Sequence, residues 1–165
     1  MNDLIIVDTR EKGHKTILEY FDSVNQNYII SKLDAGDYMI YKNNKVIIDK
    51  KDGLSEICKN LCNKKEHERL VREIDRAFAS GCERFIFLIQ SADVKCEADI
   101  KKWKSYYTKV KGYVLYKIMM TFKEHHNVEY MFAEQKEMGK KIIDILVSEW
   151  YNKSVIEVVL TYSSG

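Results

Sequence analysis

The feature that most constrains this chain is an alternation of short apolar runs with longer stretches of helical period. Residues 4–8, 28–33, 38–41, 46–48, 85–89 and 128–133 are brief and rich in β-branched and aromatic side chains, as strands are. Between them, residues 13–24, 53–62, 66–80, 114–125 and 136–151 repeat apolar side chains at helical spacing, with Ile17, Leu18, Phe21 and Val24 the first such set. Asn43-Asn44 signals a hairpin turn, and Gly81 closes the helix over 66–80. After that early hairpin, strands and helices alternate. The pattern predicts an α/β fold with a central mixed β-sheet covered by helices on both faces. Residues 91–112 are basic, aromatic and only weakly helical, and 155–162 read as a last strand or a loosely attached tail. The expectation is a single domain over 1–165 with its core at about 4–150.

Composition narrows the class. Hydrophobic residues make up 45% and charged residues 32% of the 165, a globular balance. A formal net charge of +2 excludes a polybasic tail binder but leaves room for local basic patches. No apolar run approaches the ~20 residues of a membrane-spanning helix and no signal peptide is evident. The expectation is therefore a soluble, intracellular, cytoplasmic protein with no membrane partner. The four cysteines, Cys58, Cys62, Cys82 and Cys96, read as reduced thiols; the competing reading, a zinc site at Cys58 and Cys62 with His67, is a weak signal.

Carboxylates fall where strands end, at Asp8, Asp37 and Asp49. Two residues beyond Asp49 stands Lys51, and on a strand such a pair shares one face. A carboxylate can hold a hard divalent cation while the ammonium beside it stabilises a developing anion. The competing reading of residues 49–52 is a solvated charged turn. Whether Asp37 joins that face depends on hairpin register. A two-residue loop at Asn43-Asn44 sets Asp37 opposite Lys50, on the wrong face. A three-residue loop over 43–45, with an asparagine at positive φ or an equivalent bulge, brings Asp37, Asp49 and Lys51 to one face.

These residues also match a known pattern. Residues 5–11, Ile-Ile-Val-Asp-Thr-Arg-Glu, resemble the opening strand of XPF-type nuclease domains. Gly36-Asp37 followed by Val46-Ile47-Ile48-Asp49-Lys50-Lys51 resembles their G-D-x(n)-E-R-K-x3-D signature. The order of elements agrees over most of 4–150. The resemblance implies the restriction-endonuclease-like PD-(D/E)XK fold and metal-dependent hydrolysis of DNA phosphodiesters with Mg2+ or Mn2+, often at branched or flapped structures. It implies Asp37 and Asp49 as metal ligands, Lys51 as the catalytic lysine and Asp8 as an additional carboxylate at the metal. Arg10, Glu11 and Lys50 would line the site or contact phosphate, and Arg69 would face it from the following helix. Three positions depart from the family pattern. Asp49 replaces the family glutamate, Lys50 replaces its arginine, and Ser55 with Glu56 beside it stands at the final aspartate.

Residues 101–117 interleave cations with rings. Lys101, Lys102, Lys104, Lys109 and Lys111 suit phosphates, and Trp103, Tyr106 and Tyr107 suit stacking on unpaired bases; the competing reading is a solvated helix with its aromatics on the core. DNA is the expected partner. The resemblance leaves three modes of action: alone, as a homodimer through this domain, or with a targeting protein. A stand-alone form of this kind fits a phage or mobile-element protein. Two other functions stay in play: a weak or inactive DNA-binding scaffold of the same fold, and a protein-interaction module.

Overall fold

Strand β1 (Ile5–Val7), helix α1 (Lys15–Ser23) and strands β2 (Tyr28–Ile30), β3 (Tyr38–Ile40) and β4 (Asn43–Lys51) form the amino-terminal part of the fold. Helices α2 (Leu54–Cys62) and α3 (Lys64–Ala79), strand β5 (Arg84–Gln90), helix α4 (Gly112–His126), strand β6 (Val128–Ala133) and helix α5 (Met138–Ile143) follow. This computed structural model describes residues 3–148. The strands make one six-stranded mixed sheet in the order β2-β1-β3-β4-β5-β6. β1 pairs parallel with β2 and antiparallel with β3, whereas β4, β5 and β6 run parallel.

The sequence explains these placements. Phe85, Ile86, Phe87, Leu88 and Ile89 are all fully buried, as a parallel strand covered on both faces requires. Helix α3 starts where the Asn63 side chain accepts the Glu66 amide at 3.1 Å, and it ends before Gly81 at φ +107°. One sheet face packs on α2, α3 and α4 through Ile57, Leu70, Ile74, Leu115 and Met119. The other packs on α1 and α5 through Ile17, Phe21, Met138 and Ile142. The result is the mixed α/β architecture expected, with helices on both faces.

Several expected boundaries move. The strand expected over 28–33 stops at Ile30; nearby, the Leu33 amide donates to the Asp8 carboxylate at 2.7 Å rather than to a strand. Residues 91–112 hold a 3-10 helix at Glu97–Lys102 and then an irregular loop. Over its described part, the helix expected over 136–151 divides into a 3-10 turn at Gln135–Glu137, α5, and a π-helical turn at Asp144–Ser148; 149–151 lie outside the described residues. The strand or tail expected at 155–162 lies outside the described residues. Among the described residues no helix is long and apolar enough to cross a membrane.

The hairpin differs most. Its turn is Tyr41-Lys42, closed by the pair Ile40 and Asn43, with Lys42 at φ +60°. A register slip follows, so that Tyr38 pairs with Ile48. The two asparagines serve elsewhere. Asn43 accepts the Lys45 amide at 3.2 Å, and Asn44 donates to the Ser80 carbonyl at 2.9 Å, tying the slipped strand to the end of α3. The three-residue loop expected over 43–45 is thus replaced by a tight turn plus an irregularity, and the left-handed residue is a lysine.

Candidate active site

The slip decides which side chains meet. With Tyr38 opposite Ile48, Asp37 lies across from Asp49 at the end of the hairpin, and the Asp37 amide donates to the Ile48 carbonyl at 2.8 Å. The residues two positions away on each strand, Met39 and Ile47, pack in the core beneath α2, α3 and α4, so Asp37, Asp49 and Lys51 share that face. They sit where the parallel strands β1 and β4 end, the edge at which open α/β sheets form their ligand crevices. A cleft of about 230 Å³ opens there, lined by Asp8, Asp37, Asp49 and Lys51 and by Glu56, Arg69 and Glu73 from α2 and α3.

Gly36 makes the approach possible. Its φ is +68°, and a Cβ there would stand 2.9 Å from the Ile48 carbonyl oxygen. Its amide donates to Glu73 Oε1 at 2.9 Å, which anchors the turn to α3. The carboxylate of Asp37 accepts the Lys50 amide at 2.8 Å.

Electrostatically the two aspartates are crowded. Burial, then repulsion from Asp49 and Glu11, holds Asp37 well above the usual carboxylate range, against the pull of the Lys50 amide and Lys51. Burial pushes Asp49 up to about 6, with Glu73 and Glu56 repelling it and the Lys51 ammonium drawing it down. The Lys51 ammonium is 2.9 Å from Asp49 Oδ1 and lies over the Phe87 ring. Burial alone would lower Lys51, but Asp49, then Glu56 and Asp37, raise it above the ordinary lysine range, so it stays charged at neutral pH.

The remaining expected residues are placed as follows. Asp8 is buried with both oxygens engaged: Oδ1 accepts the Leu33 amide, and Oδ2 accepts the Arg10 amide at 3.2 Å and Arg10 Nε at 2.8 Å. Arg10 also donates to the Leu33 carbonyl at 2.7 Å and remains exposed on the cleft rim. The Lys50 side chain points to the opposite sheet face, where its buried ammonium is 2.5 Å from Asp52 and 3.6 Å from Glu11. Lys50 therefore reaches the cleft through its backbone amide, and its side chain clamps the loops after β1 and β4. Arg69 is exposed on the rim, paired with Glu66 at 2.9 Å. Lys102, Lys104, Lys109 and Lys111 are exposed, Lys101 lies over the Tyr116 ring, and Trp103 is half-buried against the core. Glu73 was not singled out from the sequence. The available signal was its position four residues after Arg69, on the α3 face that also buries Leu70 and Ile74.

Among the described residues no three Asp, Glu, His or Cys side chains converge into a closed metal cage. A magnesium ion does not need one: it binds through one or two carboxylates and fills its octahedron with water and substrate phosphate. Two opposed, mutually repelling carboxylates in a polar cleft supply the hard oxygen donors and the excess negative charge that such an ion would offset. The donor set therefore fits Mg2+ or Mn2+.

The six-stranded mixed sheet with helices on both faces is the α/β fold of the restriction-endonuclease-like class. Within it, the ERCC4 domain model matches residues 7–146, and the chain belongs to that family, the XPF-type nuclease domains. Two solved structures of XPF from Aeropyrum pernix, one of them in complex with DNA, share this fold at a TM-score of 0.66 and 18% identity. They cover 96% and 92% of this chain and 71% and 66% of the Aeropyrum chains. No match is found among curated proteins by sequence.

Proposed function

We propose that this chain is a divalent-metal-dependent DNA endonuclease that hydrolyses phosphodiester bonds, branched and flapped structures being among the DNAs that the family resemblance implies. The observation that carries the reading is the opposition of Asp37 and Asp49 across the hairpin, with Lys51 against Asp49 on the same face. Family membership and the Aeropyrum XPF complex with DNA support the substrate class.

Asp37 and Asp49 would hold Mg2+ or Mn2+. When bound, the ion supplies Lewis-acid polarisation of the phosphate and lowers the pKa of water. Lys51, kept protonated by its neighbours, acts as an electrostatic donor to the phosphate oxygen where charge accumulates, not as a general base. Arg10 and Arg69 on the rim neutralise flanking phosphates. Asp8 positions Arg10, and Glu73 positions Asp37 through the Gly36 amide.

A second reading, a DNA-binding scaffold without cleavage, is favoured by one contact: the Lys51 ammonium occupies an Asp49 oxygen that the ion would use. One assay separates the two. Labelled duplex, single-stranded, flap and fork DNAs are incubated with Mg2+ or Mn2+ and the wild type, Asp37→Ala or Lys51→Ala. The expected outcome is metal-dependent cutting that Asp37→Ala abolishes and Lys51→Ala reduces at least about a hundredfold, in line with loss of one transition-state donor. Salt-sensitive DNA binding without any cutting by the wild type would establish the scaffold instead.

A further inference from the structure

We infer that Tyr106 and Tyr107 form a stacking platform for the bases of an unpaired DNA strand, beside a groove that adjoins the catalytic cleft. The inference rests on the nuclease reading for the identity of the strand.

The loop that carries the two rings is folded, and folded so as to turn them outward. Trp103 anchors it, half-buried on the core, with its amide donating to the Ile100 carbonyl at 3.0 Å. Ser105 Oγ accepts the amides of Tyr107 at 3.0 Å and Thr108 at 3.2 Å, and Thr108 Oγ1 accepts the Val110 amide at 3.2 Å. With three loop amides held by these hydroxyls, Tyr106 and Tyr107 project into solvent at 101% and 91% exposure. Single exposed aromatics are ordinary, but two fully exposed rings in succession are not, and Lys104, Lys109 and Lys111 of the same segment are exposed as well.

A groove of about 900 Å³ separates this loop from α2, with Tyr107 and Val110 on one wall and Ser55, Glu56 and Lys59 on the other. Glu56 also lines the catalytic cleft, so groove and cleft share a wall. Asp52 and Glu56 at one end of the groove repel a phosphate backbone, whereas Lys59 on the α2 wall and the exposed lysines that flank the tyrosines in sequence offer it counter-charges. In a duplex the faces of the bases are covered by their neighbours. Rings this exposed can stack only on bases that are unpaired, where each base–ring contact is worth roughly 1–3 kcal/mol.

The test is equilibrium binding without divalent metal, so that no cleavage intervenes. A fluorescein-labelled oligothymidylate of about 20 nucleotides and a duplex of about 20 base pairs are titrated with the full chain in EDTA and followed by anisotropy. Tyr106→Ala/Tyr107→Ala should weaken oligothymidylate binding about tenfold or more and duplex binding less than twofold. Tyr106→Phe/Tyr107→Phe, which keeps the rings, should retain the affinity, and Tyr106→Leu/Tyr107→Leu should not. The inference is overturned by a wild type that does not bind the oligothymidylate, by an alanine variant that binds it normally, by equal losses on both DNAs, or by full rescue with leucine. Cleavage assays on the same preparations keep the two readings apart. A wild type that binds through its tyrosines but cuts nothing sustains the platform and removes the nuclease. One that cuts in an Asp37-dependent manner, indifferent to the tyrosines, does the reverse.

Discussion

Asp37 and Asp49 show at the scale of single residues how a site stores charge that the fold alone does not want. Both carboxyls lie above their ordinary range because burial disfavours ionisation, reinforced by Asp49 and Glu11 at Asp37 and by Glu73 and Glu56 at Asp49, which sits at about 6. The sign of the stability effect follows. A group whose folded pKa is raised contributes stability that is complete below its unfolded value, near 3.8, and is lost as pH rises through the folded value. Metal-free protein should therefore lose melting temperature as pH rises from about 4 through 6 on account of Asp49, and further as pH rises through the raised value of Asp37. Asp37→Asn removes one charge and keeps an oxygen to accept the Lys50 amide. In EDTA it should melt higher than wild type at pH 8, with the gap closing toward pH 4. A variant that melts lower than wild type at pH 8 would show that the carboxylate is stabilising. The gain in stability would accompany loss of cleavage, as is common where a site is built from repelling groups.

Elements act on the site mainly through the hairpin and α3. The turn before β3 needs Gly36 twice, for its positive φ and for the close approach of the Ile48 carbonyl. Gly36→Ala should cost more than about 1 kcal/mol, or roughly 2–4 °C of melting temperature for a chain of this size. Because the same turn carries Asp37 and meets Glu73, cleavage should fall further than stability. Thermal melts and cleavage rates measured together check this, and an unchanged melting temperature would mean that the turn relaxes freely. Strand parity put Asp49 and Lys51 side by side from the sequence alone. The place of Asp37 was not legible in the same way. It depends on a tight turn at Tyr41-Lys42 and a slip held by Asn44 on Ser80, a contact spanning 36 residues that no local pattern encodes. Glu73 was hidden for the same reason, since its bond to Gly36 spans 37 residues. Lys50 was legible as a charge but not as a buried clamp, because its side chain leaves the site face for Glu11 and Asp52.

For the molecule as a whole, the proposed ion links folding to function. An ion that binds only the native state raises stability by mass action, about 2.7 kcal/mol at a hundredfold excess over Kd, or roughly 5–10 °C here. Mg2+ or Mn2+ should therefore raise the melting temperature of the wild type and leave Asp37→Asn/Asp49→Asn unmoved. An equal shift in both would place the ion elsewhere. The cores beneath the two sheet faces were readable as apolar periodicity, because burial demands period two on strands and the helical period on helices. Local physics of that kind sufficed for the α/β class, the sheet covered on both faces, and the pairing of Asp49 with Lys51. What only the tertiary structure decided was which distant groups share the cleft: Asp37 by register, Glu73 and Arg69 by the packing of α3, and the outward tyrosines by a loop folded on its own hydroxyls. Periodicity reports which face a side chain takes along one element, whereas register, helix placement and loop hydrogen bonds are settled by contacts between elements.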